Sequence, residues 1–368
     1  MRRLFVILAG LLALTPATVH AAAAPRGFFG VMADGVLMTR DDASFAHEFA
    51  VMKASGVESV RPVVYWADMQ PTRHGPIQFA SLDRLMGEAA RNDIAVLPVV
   101  LRAPAWAREH PHDVGSHPKH PADFAAFLTA LVGRYGPSGT YWTEHPDVPR
   151  QPQRTWEIWN EPNLQRYGSP SIVRSRASAR AFVELTRAAS TAIRRADPGA
   201  RVVLSSFGEG GPQNTSWDAI RLVFGAGLRA SWFDAVAGHP FSGRISNVLK
   251  IVRFERREFA RHGAARTPMI ISELAWPSAK GKTNNFTTGF ETTERGQARK
   301  LRAAYTALLK VHRRYRIESV FWSTWLTADC CSSNNFDWSG LRKLDPRDPS
   351  GEPISKPALR AFRQLARR

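Results

Sequence analysis

Two glutamates carry the chemical interest of this sequence. Glu161 sits in "WEIWNEPN" (156–163) and Glu273 in "IISELAWPS" (270–278). Each ends a run of apolar, β-forming residues, where an ionised group is costly unless something uses it. Such a pair can divide labour. One carboxyl stays protonated and delivers a proton; the other stays ionised and attacks, or activates water. That division needs two different environments, which push the two pKa values apart. The two residues are 112 positions apart (161 to 273), so the fold must bring them together.

The surrounding sequence states how. Eight short runs rich in Val, Ile and Phe read as strands: 27–33, 57–65, 94–101, 155–160, 201–207, 233–239, 268–273 and 319–325. They have the near-continuous apolar character of strands buried on both faces. Amphipathic stretches lie between them. "ASFAHEFAVMKASG" places Phe45, Phe49 and Met52 on one face and stops at Gly56; "PADFAAFLTALVGRYG" groups Phe124, Phe127, Leu128 and Leu131 before Gly136. The same pattern recurs in 180–199, 298–315 and the final "SKPALRAFRQLARR". Eightfold strand–helix alternation with no linker or composition shift predicts an α/β fold, a single (β/α)8 TIM barrel over residues 24–368. Active sites of such barrels lie at the C-terminal ends of the strands. Glu161 ends the fourth strand and Glu273 the seventh. The interval, about 37 residues per βα unit, suits the repeat.

Two carboxylates facing each other across a barrel mouth are the machinery of glycoside hydrolysis. Here the Asn-Glu-Pro stretch and the glutamate of "SELAWPS" make the chain resemble the retaining glycoside hydrolases of clan A. It is most similar to family 39, with its exopolysaccharide-cleaving and xylosidase-like members, and then to family 5. The resemblance covers nearly the whole chain after the leader. It implies that Glu161 is the general acid/base and Glu273 the nucleophile. Asn160 looks like the residue that hydrogen-bonds the sugar 2-hydroxyl. Retaining enzymes hold the two carboxyls about 5–5.5 Å apart. Arg61 in "VRPVVYW" resembles the second-strand arginine of the clan, whose fixed charge favours an ionised nucleophile; it also reads as a partner in a barrel-core ion pair. His239 in "GHPFSG" resembles the sixth-strand His-Pro-aromatic stretch and can bond the nucleophile or a sugar hydroxyl. Phe241 stands where many relatives carry tyrosine, so no tyrosine–nucleophile bond is assigned. Trp322 in "VFWSTW" resembles the eighth-strand tryptophan that floors the subsite nearest the bond. Trp66 and Trp106 also follow strands and could line subsites, or be plain core. Asn163 is either a turn-former after Pro162 or a ligand contact.

Other carboxylates compete less well. Glu209 in "SFGEGG" reads as a subsite or surface residue, Glu157 as a structural polar group of the barrel, and Asp329 as a weaker subsite candidate. The loop "REHPHDVGSHPKHP" gathers His110, His112, His117 and His120 beside Glu109 and Asp113. The spacing matches no metal motif and the prolines suggest an extended, solvated loop, so no metal site is assigned. No cofactor is expected: there is no nucleophile elbow, P-loop or dinucleotide fingerprint.

The N-terminal segment has a basic start (Arg2, Arg3), an apolar run from Leu4 to Ala17, and small residues at Val19 and Ala21. It reads as an export signal of residues 1–23, cleaved near Ala21–Ala24, or as a retained anchor. The expected location is secreted or at the cell-envelope exterior. The formal net charge is +18, and +16 once Arg2 and Arg3 leave with the signal. Such a field attracts polyanions, an acidic polysaccharide among them, but the favoured reading of the charge is a solvated basic surface. No nucleic-acid motif accompanies the charge, which is otherwise a solvated basic surface; a monomer is expected. The two cysteines, Cys330 and Cys331, are adjacent, so no disulfide framework exists. Three functions are compatible with these residues: a retaining hydrolase, a transglycosylase using the same site, and a non-catalytic carbohydrate- or cell-wall-binding barrel.

Overall fold

A single barrel sheet organises the chain. The structure is a computed structural model and describes residues 24–282 and 290–367. The export-signal reading falls on residues 1–23, which lie outside the described residues. The sheet strands are β1 (Phe29–Met32), β2 (Ser59–Arg61), β3 (Val63–Tyr65), β4 (Ala95–Val96), β5 (Val99–Leu101), β6 (Thr155–Ile158), β7 (Arg201–Leu204), β8 (Ala235–Gly238), β9 (Met269–Leu274) and β10 (Ile317–Trp322). All of their pairings are parallel, in the order β3-β5-β6-β7-β8-β9-β10-β1-β2-β4.

Ten segments make eight staves. Pro62 divides the second stave into β2 and β3, and Pro98 divides the third into β4 and β5. A proline has no N–H to give to the ladder. Its carbonyl still accepts, so Val99 N–H bonds Pro62 O (3.1 Å) and Glu157 N–H bonds Pro98 O (3.0 Å). Because β2 pairs with β4 and β3 with β5, the two ends of that strand order are halves of neighbouring staves, and the ring closes. Apolar alternation at period two separates two cores. Val203, Ala235, Ala237, Ile270 and Phe321 point inward with Leu97 and form a cluster of their own. Their neighbours Val202, Leu204, Val236, Ile271 and Val320 point outward, into the larger core beneath the helices. Gly30 makes room for Phe321: a β-carbon there would stand 2.5 Å from the ring.

Among the described residues one long helix follows each stave: Asp42–Ala54, Ala80–Arg91, Pro121–Tyr135, Arg176–Ala196, Ser216–Gly225, Ile245–Arg261, Glu294–Tyr315 and Pro357–Ala366, with the short helices Trp66–Met69 and Thr140–Glu144 between them. Side chains of Asp41, Ser175, Thr215 and Thr293 cap four of them, each accepting an N–H three residues on. The last helix seals the base of the barrel. Phe362 packs edge-on against Phe29 (5.7 Å), Arg363 Nε donates to Ser55 Oγ (2.9 Å), and Arg367 donates to Ala54 O (3.3 Å). At the same end Glu58 accepts from the N–H groups of Gly27 (2.9 Å) and Phe29 (3.1 Å). Among the described residues no helix is long and apolar enough to cross a membrane.

Candidate active site

Strand parity aims the first two groups of the site. Val60 faces the helices, so Arg61 faces the interior; Trp156 and Ile158 do the same for Glu157. The two meet inside the barrel. Arg61 Nε and Nη2 donate to both oxygens of Glu157 (2.7 and 2.8 Å), and neither side chain has any exposure. Glu157 is thus an interior structural partner. Arg61 Nη1 then reaches across to Glu273 Oε1 (2.9 Å), and Nη2 also bonds Asn160 Oδ1 (3.1 Å).

Glu273 reaches the mouth by breaking parity. Ile270 faces inward and Ile271 outward, so a regular strand would turn Glu273 toward the helices. Instead β9 carries a bulge. Val320 pairs with Ile271 and Trp322 with Leu274, so three steps on β9 oppose two on β10. A bulge of this kind re-aims a side chain. Ser272 and Glu273 consequently both address the site: Ser272 Oγ bonds His239 Nε2 (2.9 Å) and Glu273 bonds Arg61.

Glu161 arrives by a different device. The chain leaves β6 through two left-handed residues, Trp159 (φ 63°) and Glu161 (φ 40°). Non-glycine residues held there cost on the order of 1–3 kcal/mol each and persist only where the surroundings impose them. Here the surroundings do so. Trp159 Nε1 donates to Tyr167 O (2.7 Å), Glu161 N–H donates to Ser206 O (3.1 Å), and Leu164 N–H returns to Glu161 O (2.9 Å).

His239, just past β8, stands between the carboxylates. Its Nδ1 lies 2.8 Å from Glu161 Oε1 and its Nε2 lies 3.6 Å from Glu273 Oε1. The closer partner is the acid/base candidate rather than the nucleophile. Burial drives the Glu161 carboxyl up to about 7, against the pull of Arg61 and Arg166. Burial drives His239 down to about 4. Below neutrality Glu161 therefore carries its proton and donates it toward a neutral imidazole at Nδ1, while Nε2–H points to Ser272 Oγ. Glu273 is also raised, by burial above all and by the charge of Glu161, and the Arg61 guanidinium opposes the rise. The Arg61 guanidinium limits the effect of burial on Glu273 rather than cancelling it. The pair is thus unequal: one carboxyl bonds a fixed cation, the other a neutral ring.

The other residues singled out in the sequence fall into two groups. Asn160 belongs to the site: its oxygen is held by Arg61, and its Nδ2 makes no hydrogen bond among the described residues. Trp106, part-exposed, is tied by Nε1 to Gln70 O (3.1 Å). Trp66, Trp322 and Asn163 are covered. Trp66 packs against Trp106 and Phe127 with no exposed surface. Trp322 follows inward-facing Phe321, so its ring turns toward the helix layer. It is fully buried against Trp276, with Nε1 bonded to Ser339 O (2.8 Å). Asn163 clamps the next loop: its amide bonds Gly208 O (2.7 Å) and Asn214 Oδ1 (2.8 Å), and its oxygen accepts from Gly208 N (2.9 Å). Asp329 is closed off by buried Lys356 (2.8 Å) and Thr327 (2.6 Å). Glu209 accepts from Ser216 N (3.2 Å) at the start of a helix. The histidine-rich loop is less solvated than its prolines suggest, because His117 is buried against Trp159 and Phe182.

Two participants escape a reading of motifs. Gly208 leaves space for the acid/base candidate: a β-carbon there would lie 2.8 Å from Glu161 Oε1 and 2.6 Å from Leu164 Cδ1. Ser272 orients His239. The glycines of "SFGEGG" and the serine preceding Glu273 are the only sequence signals of either.

No protein-family model matches the chain, and no curated protein does. Solved structures do match, and their architecture is that of the glycoside hydrolase barrels. A family 39 glycoside hydrolase from the gut symbiont Bacteroides cellulosilyticus WH2 gives a TM-score of 0.63 at 17% identity, over 93% of this chain and 64% of that one. The GH53 catalytic domain of Ignisphaera aggregans gives 0.61 at 18%, over 94% and 98%. A GH5_18 protein from Streptomyces cattleya, in complex with GlcNAc, gives 0.63 at 17%, over 94% and 80%. The chain thus spans 64% of the length of the family 39 structure. At these identities the likeness establishes the shared barrel.

Proposed function

We propose that the protein is a retaining O-glycoside hydrolase that cleaves a β-linked polysaccharide or oligosaccharide, exported by its N-terminal leader to the cell-envelope exterior. The observation that carries this reading is the unequal partnering of two buried carboxyls, Glu161 with neutral His239 and Glu273 with Arg61. Both stand at stave ends, where barrels place catalytic groups.

Glu161 transfers its proton to the glycosidic oxygen as the C1–O bond breaks. Glu273 carboxylate attacks C1 and forms a glycosyl ester. The ester removes the Glu273 charge, and Arg61 remains on Glu157. Glu161, now ionised, takes a proton from water, whose oxygen attacks C1 and releases Glu273. When Glu161 is ionised, His239 meets it with Nδ1–H, so the ring serves both stages by exchanging tautomers. The free amide of Asn160 is placed to donate to the sugar beside the reacting carbon.

An activated 2-deoxy-2-fluoroglycoside tests the reading. It should leave a covalent sugar on Glu273, identified by peptide mass spectrometry. Turnover without a label there would discard the assignment. Glycan retention with neither label nor turnover would favour the binding barrel. Products lengthened in the presence of an acceptor sugar would favour the transglycosylase.

A further inference from the structure

We infer that a sugar bearing an anionic group, a uronate carboxylate or a sulfate ester, is read beside Glu161 by Arg102 and Arg166. This rests on the hydrolase reading above and adds the substrate class.

Four residues carry it. Tyr65 ends β3, and Arg102 directly follows β5, the neighbouring segment. Both therefore sit at the catalytic end of adjacent staves. Arg102 is held in the left-handed region (φ 63°), with its carbonyl bonded to Ala67 N (2.9 Å). Its guanidinium lies over the Tyr65 ring, 4.5 Å from the centroid. Arg166 and Tyr167 belong to the loop that leaves Glu161, and Arg166 lies 5.5 Å from the Tyr167 ring. That loop is anchored where it matters, since Tyr167 O accepts the Trp159 indole N–H.

The four stand at the ends of three neighbouring staves: Tyr65 on the second, Arg102 on the third, and Arg166 and Tyr167 in the loop that follows the fourth. The charge of Arg166 is felt by Glu161, Tyr65 and Tyr167, and Tyr167 in turn feels Glu161, Glu273 and Tyr65. The constellation thus borders the two carboxyls from the side of the second, third and fourth staves. Neither guanidinium and neither phenol hydroxyl makes a hydrogen bond or ion pair among the described residues. Asp34 and Asp68 are the carboxylates felt by Tyr65. Asp34 is engaged by Thr324 (2.6 Å), and neither acid bonds a guanidinium.

Stacking on an aromatic face orients an arginine without using its five donors. Two such guanidiniums, preset at a catalytic mouth and free of acids, are arranged for a bidentate or charge-assisted bond to an incoming anion. A neutral glycan would offer both only uncharged oxygens, without the charge-assisted bond. The many surface arginines elsewhere attract polyanions at long range, but these two stand where a single sugar is discriminated.

The test uses matched pairs. β-1,4-Glucuronan, hyaluronan and glucuronoxylan oligosaccharides are each prepared native and with carboxyls reduced to alcohols, and a 6-O-sulfated cello-oligosaccharide is added. Binding is titrated on a Glu273→Gln chain, with and without Arg102→Asn and Arg166→Gln. Asparagine at 102 tolerates the left-handed backbone, so that variant keeps the turn. At least one acidic glycan should bind about tenfold more tightly than its reduced form, a preference lost in the double variant and at high salt. Its reduced partner should bind both chains alike. A stronger hold on the sulfated probe would name sulfate as the anion, and on a native glycan, carboxylate. Equal binding within every pair, no binding of any probe, or a preference that survives both substitutions overturns the inference. Fluoroglycoside labelling of Glu273 in the wild-type chain is the independent arm. A labelled enzyme without charge preference removes only the anionic subsite; an unlabelled one removes the hydrolase.

Discussion

Replacing Glu161 with glutamine isolates the consequence of burying an acid at the barrel mouth. Glutamine has the shape of the protonated acid, and its amide can donate to His239 Nδ1 as the carboxyl does. The wild-type carboxyl has an ordinary value of 4.5 and is raised to about 7 in the folded protein. The folded state thus binds the proton more tightly than the unfolded chain. Its stabilising contribution is complete below pH 4.5 and is lost as pH rises through 7. The full loss is about 3 kcal/mol, from roughly 1.4 kcal/mol per pKa unit. Most of it falls between about pH 5 and pH 8.5. Groups that do not feel the charge of Glu161 titrate alike in both chains, so the difference between them reports this residue together with its influence on Glu273. The melting temperature of Glu161→Gln relative to wild type should climb by about 3–4 °C over that interval, given the entropy of unfolding of a chain this long. Scanning calorimetry at several pH values measures it. Hydrolysis of substrates with poor leaving groups should fall by about 10²–10⁴-fold in the same variant. A melting difference that stays flat with pH would refute the raised acid, whatever the activity did.

Four further outcomes follow from the same geometry. Glu273→Ala should lose hydrolysis by about 10⁴-fold or more while circular dichroism remains native, because the nucleophile and not the fold is removed. Gly208→Ala should lower kcat by at least about tenfold with little change in melting temperature, since the new methyl displaces the ends of Glu161 and Leu164 rather than backbone; an unchanged kcat would show that the carboxyl has room to move. Arg61→Met should destabilise the protein by about 3–5 kcal/mol in denaturant titration, as it strands the fully buried Glu157 carboxylate. The alkaline limb of kcat/KM should fall near pH 7, where Glu161 gives up its proton, and a limb above pH 9 would move the acid role elsewhere.

The staves and their order were legible because parallel strands buried on both faces must be apolar throughout, and such short runs recur between amphipathic stretches along residues 24–368. Glu161 and Glu273 were legible because each is an ion at the end of such a run, and Arg61 because it is an ion inside one. Pairing was not. Pro62 and Pro98 announce interruptions, yet only the ladder shows that each half-stave keeps its neighbour. The bulge in β9 is invisible in "IISEL", and simple alternation points Glu273 the wrong way. An aromatic residue after a strand reads equally as a sugar platform or as core. Trp322 is one residue beyond inward-facing Phe321, and that single step sends its ring beneath the helices. Nothing in the sequence marks Arg102 and Arg166 among the many arginines; what distinguishes them is that neither guanidinium has a hydrogen-bond partner among the described residues.

The sealed base of the barrel has a practical side. Residues 24–28 enter β1, and the last helix docks through Arg363 and Arg367, at the end opposite the carboxyls. A bead, a fusion partner or a surface joined to either end of the described chain grips the protein from below. The opening then faces outward, toward whatever polymer passes over it, and immobilisation leaves the entrance clear.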